Sequence, residues 1–201
     1  MTRLRKVLRL VALVLATVVA LGGYLGWRQW TGNFATVVAG EVYRSNQPTP
    51  DRLASYARDH RIRTVLNLRG ASPGTDWYEA ERKAAADLGL TLIDLPLSAG
   101  HELTRDQAET LLATLREAPK PLLIHCRSGS DRTGLAAVVY QAMVAGIDEE
   151  TAEQQLSIRY GHFSVPVLSA AWPMDASWEQ MEQWWGIDDR AATLPAPESA
   201  T

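Results

Sequence analysis

A chain of 201 residues with 46% hydrophobic and 21% charged side chains has enough apolar material for one buried core, which excludes an intrinsically disordered protein. A single cysteine excludes an intramolecular disulfide framework and a Cys-rich zinc site. The four histidines (His60, His101, His125, His162) lack ligand spacing, so neither a metal nor a cofactor is expected. The net charge of −3 hides an asymmetry: Arg3, Arg5, Lys6 and Arg9 crowd the N-terminus, leaving sixteen basic against twenty-three acidic residues, net −7, in the remainder. An acidic domain without a basic stripe excludes nucleic-acid binding.

Behind that basic flank the chain runs uncharged from Leu10 to Trp27, eighteen residues, the short end of what a tilted helix needs to cross a bilayer. Trp27 and Trp30 suit the far interface. Val18-Val19-Ala20 would serve as a signal cleavage site, but the apolar run continues through Leu25, which favours an anchor. With four basic residues before the span and Arg28 alone close behind it, the N-terminus is expected in the cytoplasm. The rest is then extracytoplasmic, in the periplasm if the organism is bacterial. Gly22 and Gly26 form a small-residue pair too common to carry meaning.

"TGNFATVVAG" then reads as a short linker leading into a first strand, with "GEVYRS" as its partner. Thr49 and Pro50 form an N-cap and first-turn proline for a helix to His60. Arg63–Leu68 reads as a buried strand. Asp76 and Glu79 make a capping box for a helix to Leu88, "LTLIDLPL" is the next strand, and Thr104 with Gln107 caps another helix. "PLLIHC" is a third buried strand. Arg132–Ala145 is apolar enough for a helix buried on most sides, capped by Gly146, and a further helix runs from Asp148 to Tyr160. In the last helix Trp178, Met181 and Trp185 share a face and read as core, as do Trp172 and Pro173 in "WPMD". Alternating strands and capped helices predict an α/β layered fold, a central, mostly parallel sheet flanked by helices and preceded by one transmembrane helix. The expected organisation is flank and anchor over 1–30, a globular domain over 31–186 and a disordered tail over 187–201.

In such sheets ligands bind beyond the carboxyl ends of the strands, and "HCRSGSDRTG" begins at one of these ends. Gly129 and Gly134 have the spacing of a nucleotide-binding loop, but Leu135-Ala136 follows where Lys and a hydroxyl are required. What remains is a loop whose successive amides ring an oxyanion at the positive end of a helix. Thiols in such places favour the reactive thiolate, so Cys126 becomes a candidate nucleophile and Arg132 a bidentate phosphate clamp.

His125-Cys126-x5-Arg132-Thr133 resembles the H-C-x5-R-[ST] signature of the cysteine-dependent protein tyrosine and dual-specificity phosphatases. "GEVYRSNQP", "IRTVLNLRG" and "RYGHF" are similar to their compact bacterial dual-specificity-like branch, over about Ala39–His162. The resemblance implies that Cys126 forms a phosphocysteine and Arg132 grips the phosphate. Thr133 would hydrogen-bond the departing sulfur, and His125 would brace the loop from behind. Arg127, Ser128, Gly129, Ser130 and Asp131 would complete the cradle. Two residues compete as the general acid: Asp131, in the loop itself as in myotubularin-like relatives, and Asp94, at a neighbouring strand end. Arg69 and Arg44 are secondary candidates for substrate contact, against solvated surface arginines. A phosphotyrosine protein is the expected substrate, with a phosphorylated glycan, lipid or inositol phosphate as alternatives, and the membrane is a partner through the N-terminal helix. The rival readings are a non-catalytic phosphate-binding module and a redox sensor; no second cysteine exists to form an internal disulfide.

Overall fold

The computed structural model describes residues 2–187, so the predicted tail lies almost wholly outside the described residues. It opens with α1 (Thr2–Trp30), a helix whose stretch Arg5–Trp30, mean hydropathy 2.1, is long and apolar enough to cross a membrane. The helix is exposed from Arg5 through Tyr24 and touches the rest of the chain only in its last two turns.

β1 (Ala35–Val38) and β2 (Val42–Ser45) form an antiparallel hairpin. α2 (Pro50–His60), β3 (Thr64–Asn67), α3 (Asp76–Asp87), β4 (Thr91–Asp94), α4 (Arg105–Glu117) and β5 (Leu122–His125) follow in alternation. The sheet order is β1-β2-β5-β3-β4, parallel at every pairing except the hairpin. The chain closes with α5 (Asp131–Met143), the short α6 (Glu149–Glu153), a 3₁₀ turn (Ile158–Tyr160) and α7 (Trp172–Trp185).

Strand pleating divides the core. Leu66, Leu122 and Ile124 face α4, α5 and α7, while Val65 and Leu123 face the α2–α3 side with Leu53 and Ala84. α5 lies at the centre, buried without interruption from Thr133 to Gln141, which is why its sequence shows no polar face. Gly134 permits its closest contact: a Cβ there would lie 2.8 Å from Leu156 Cδ2 and 2.9 Å from the Gln155 carbonyl.

Several boundaries differ from the sequence reading. The stretch before β1, read as the start of a linker, is no linker, since Asn33 is fully buried, in a left-handed conformation with φ of 48°. The cap of α3 is Thr75, and Glu79 accepts from the Gly74 amide instead of closing a box. The helix expected over 148–160 stops at Glu153 and resumes only as the 3₁₀ turn. α5 ends before Gly146, which supplies the positive φ of the following turn. α7 starts at Trp172, so "WPMD" is its first turn. The cap and first-turn proline at Thr49-Pro50 and the capping box of Thr104 with Gln107 form as expected.

Gly134→Ala should destabilise the chain by about 1–3 kcal/mol, the usual cost of an added methyl in a packed core. Thermal unfolding in detergent measures it, and an unchanged midpoint would mean that the segment after α6 yields freely.

Candidate active site

The parallel register brings Ser45, His125, Asn67 and Asp94 to one level at the carboxyl edge of the sheet. The chain leaves β5 there, turns through Cys126–Ser130 and enters α5 at Asp131. Cys126 is 2% exposed, and its Sγ accepts from the Gly129 amide at 3.3 Å.

Four consecutive carbonyls of this loop, from Arg127 to Ser130, are held by neighbouring groups. Arg127 O accepts from Gln47 N (3.3 Å), and Ser128 O from Gln29 Nε2 (2.9 Å) and Asn33 Nδ2 (3.0 Å). Gly129 O accepts from Arg44 Nη2 (2.7 Å), and Ser130 O from the same nitrogen (3.3 Å) and from Gly134 N (2.7 Å). In a trans peptide the N–H points opposite to the C=O. The amides of Ser128, Gly129, Ser130 and Asp131 therefore turn away from the four held carbonyls, Gly129's toward Cys126 Sγ and Ser130's toward Ser128 Oγ (3.3 Å), an anion-binding nest at a helix N-terminus. Gly129 fits because its φ is +72° and because a Cβ there would meet the Ser45 carbonyl at 2.5 Å.

One of the two arginines departs from the sequence reading. Arg44 is neither a substrate contact nor a surface residue. It is fully buried beneath the loop, bonded also to Gln155 O (2.8 Å) and Oε1 (2.9 Å), with its guanidinium 3.9 Å from the Tyr160 ring centre. Burial lowers its pKa to about 10, partly offset by Tyr160 and Cys126, so it keeps its charge at neutral pH. Arg69 stacks 3.3 Å over Trp77 and donates to Gln47 Oε1 (2.8 Å). Desolvation lowers its pKa, helped by repulsion from Arg132 and Arg127, which puts Arg69 within the electrostatic reach of the loop.

Arg132 Nη1 reaches the carbonyls of Leu68 (3.3 Å) and Leu97 (3.2 Å), joining the loop to the ends of β3 and β4. Its Nε and the buried hydroxyl of Thr133 have no protein partner, two polar groups left over for a ligand. Arg127 is exposed. Behind the nucleophile, His125 Nε2 lies 2.8 Å from Glu81 Oε1, both side chains wholly buried. His125 is a support, and Glu81, unnoticed in the sequence, is its counterpart.

The two candidate acids have different surroundings. Asp94 accepts from Asn67 Nδ2 (2.7 Å) and Tyr78 Oη (2.5 Å), one donor on each oxygen, and the hydrogen bond to Asp94 raises Tyr78 to about 12. Asp131 Oδ1 lies 2.8 Å from His162 Nδ1, whose Nε2 lies 3.0 Å from Asp175 Oδ2. Burial alone would lower the pKa of His162, but the hydrogen bonds to Asp131 and Asp175 outweigh it and raise the value to about 9. Both ring nitrogens therefore donate at neutral pH. His162 and Asp175 were missed as site residues, although both lie in segments already noticed, "RYGHF" and "WPMD".

This fold and this loop define the tyrosine/dual-specificity class of phosphatases. The chain belongs to the family described as DSP-PTPase phosphatase fused to NAD+ kinase, whose model matches residues 30–165. It is 29% identical over 119 residues to the dual specificity protein phosphatase TpbA of Pseudomonas aeruginosa, 57% of this chain and 49% of that one. The match thus spans about half the length of the curated relative. The crystal structure of P. aeruginosa TpbA is similar with a TM-score of 0.59 and 22% identity, covering 81% of this chain and 92% of that one. The core catalytic domain of the PP-IP phosphatase from S. cerevisiae, solved with citrate, gives 0.54 and 17%, covering 78% and 94%.

His162 has a folded pKa raised above its ordinary 6.5, so its ion pairs stabilise fully below about pH 6.5 and lose that contribution as pH rises through about 9. The stability difference between the natural chain and His162→Gln should therefore shrink between pH 6.5 and 9 in thermal unfolding. A pH-independent difference would mean that His162 is neutral in the fold.

Proposed function

We propose that the chain is a phosphomonoester hydrolase working through a phosphocysteine on Cys126. The observation that carries this reading is the inward-turned nest of amides around a buried thiol, flanked by the unpartnered Arg132 Nε and Thr133 hydroxyl. The amides of residues 128–131 and the Arg132 guanidinium hold the three non-bridging oxygens, as trigonal charge spreads over them in the transition state. The thiolate attacks in line: the S–P bond forms, the bond from phosphorus to the ester oxygen breaks, and that oxygen leaves with a proton. Water then attacks the phosphocysteine, and inorganic phosphate departs as the sulfur recovers its charge. Thr133, whose buried hydroxyl has no protein partner, would donate to that sulfur as it leaves.

Asp131 supplies the proton in this reading. Asp94, with both oxygens already accepting, acts as a brace for Asn67 and Tyr78. Asp131 is backed by a proton store, the His162 cation. When the phosphate dianion enters, a proton moves from His162 Nδ1 to the Asp131 carboxylate and on to the leaving oxygen. His162 stays neutral, its Nε2–H still on Asp175. The attacking water returns a proton by the same route. Arg69, beside the loop, is a further contact for the substrate.

TpbA has been solved in complex with pTyr, which supports an aryl phosphate as a first test substrate. α1 holds the domain at a membrane, and the positive flank argues for an extracytoplasmic domain.

Cys126→Ser should abolish turnover of p-nitrophenyl phosphate. Asp131→Asn should slow phenyl phosphate by roughly 10²-fold or more, the usual size of a general-acid contribution, while barely slowing an ester whose leaving group is strongly acidic. Steady-state rates across a series of aryl phosphates measure this. A selective loss in Asp94→Asn, with a uniform one in Asp131→Asn, would exchange the two roles.

A further inference from the structure

We infer that the mouth of the phosphate loop is seated on the bilayer surface and that its substrate phosphate is carried by a membrane lipid as a phosphomonoester headgroup. The inference rests on the phosphatase reading and names its substrate class.

The membrane helix is built into the site. Gln29 and Asn33, at the end of α1 and just beyond it, both donate to the Ser128 carbonyl, and Asn46 Nδ2 donates back to Gln29 O (2.9 Å). Asn33 also bonds the Tyr160 carbonyl (2.8 Å). A phosphate loop held this way cannot move away from the span as a domain on a flexible tether would.

The depth of the domain along the helix follows. Tyr24 Oη donates to the Arg159 carbonyl at 2.8 Å, and Gly161 packs beside Leu25 and Gln29. Tyr24 precedes Trp30 by six residues, about 9 Å along a helix. Tyr24, Trp27 and Trp30 are all exposed and make an interfacial aromatic belt. The segment 159–161 thus lies within that belt, not above it.

The chain leaving this segment is apolar and unpartnered where a soluble surface would be polar. Phe163 is 61% exposed, Val167 86% and Leu168 84%. Val167 holds φ at +64°, a costly conformation for a β-branched residue, and both aliphatic side chains remain in the open. A cleft of about 410 Å³ runs from Asp131 to Phe163, lined otherwise by Ala99, Gly100, Gly161, Ser169, Ala170 and Ala171. It offers small apolar walls to whatever follows the phosphate. Although the domain is acidic, Arg28 and Arg159 both flank the Tyr160 ring, Arg52 donates to the Trp30 carbonyl and the exposed Arg127 adjoins Ser128. Cations gathered where the helix emerges suit an anionic lipid surface.

The test uses the full chain reconstituted in phosphatidylcholine vesicles containing phosphatidic acid, with p-nitrophenyl phosphate and a phosphotyrosine peptide as soluble comparisons. The natural chain should release phosphate from phosphatidic acid in its own vesicle. Val167→Asn/Leu168→Ser should do so about tenfold more slowly, having lost the interfacial burial of two aliphatic side chains, with p-nitrophenyl phosphate turnover unchanged. In a Cys126→Ser background, a nitrobenzoxadiazole label on Val167→Cys should shift its emission to the blue on reconstitution. Turnover of the peptide and p-nitrophenyl phosphate but not of phosphatidic acid would overturn the lipid assignment, and an unshifted label would overturn the seat on the bilayer. Failure of the natural chain to turn over p-nitrophenyl phosphate would instead overturn the phosphatase reading itself.

Discussion

Four consecutive carbonyls, from Arg127 to Ser130, are pulled away from the nucleophile by groups that surround the loop, and the site depends on this. Amides left to themselves would turn toward water. Once their carbonyl ends are held, they face inward, and a binding site for a trigonal anion exists before any anion arrives. The strongest holder is a charge that burial penalises. Arg44 has no exposure at all, and it keeps its proton because the carbonyls of Gly129, Ser130 and Gln155 and the face of Tyr160 replace its water. Preorganisation of this kind lets fixed dipoles stabilise charge without reorganising as the reaction proceeds.

The holders come from widely separated parts of the fold, and each ties the loop to something else. Gln47 follows β2, Arg44 lies within it, and Gln29 and Asn33 bring in the end of the membrane helix. Through Gln155 and Tyr160, Arg44 joins the loop to the segment after α5, the segment that carries His162 and so reaches Asp175 at the start of α7. The carboxylate that competes for the role of acid is thereby locked to the same framework as the amides. Asp94 belongs to a different network, with Asn67 and Tyr78 at the sheet edge.

What was legible in the sequence was local. Thr49-Pro50 and Thr104 with Gln107 announce their helices because cap and partner lie within one turn. The H-C-x5-R-T run announces its loop because nucleophile, glycine and clamp are consecutive. The holders of that loop were not legible, because each acts on a residue 80 (Gln47 to Arg127) to 99 (Gln29 to Ser128) positions away. Nothing near Arg44 in sequence reveals that its charge will be satisfied by carbonyls of two distant loops. The one available signal was its place: an arginine amid Val42 and Tyr43, in a strand flanked on both sides, must be paired or must break the strand. His162 and Asp175 were equally hidden, since a histidine between two carboxylates is a property of the fold and not of spacing. The expected linker failed for a related reason: the stretch before β1 is short and glycine-containing like a linker, but Asn33 gives its amide to the Ser128 and Tyr160 carbonyls.

The central claim, that the nest exists to let Cys126 take a phosphoryl group, is tested most directly by trapping that group. The full chain would be mixed with an aryl phosphate, quenched in acid within the first turnover and analysed by intact mass and peptide mapping. The account predicts one phosphoryl group on Cys126, appearing as fast as the first equivalent of phenol is released. Phosphate on another side chain, or turnover with Cys126 never modified, would contradict it.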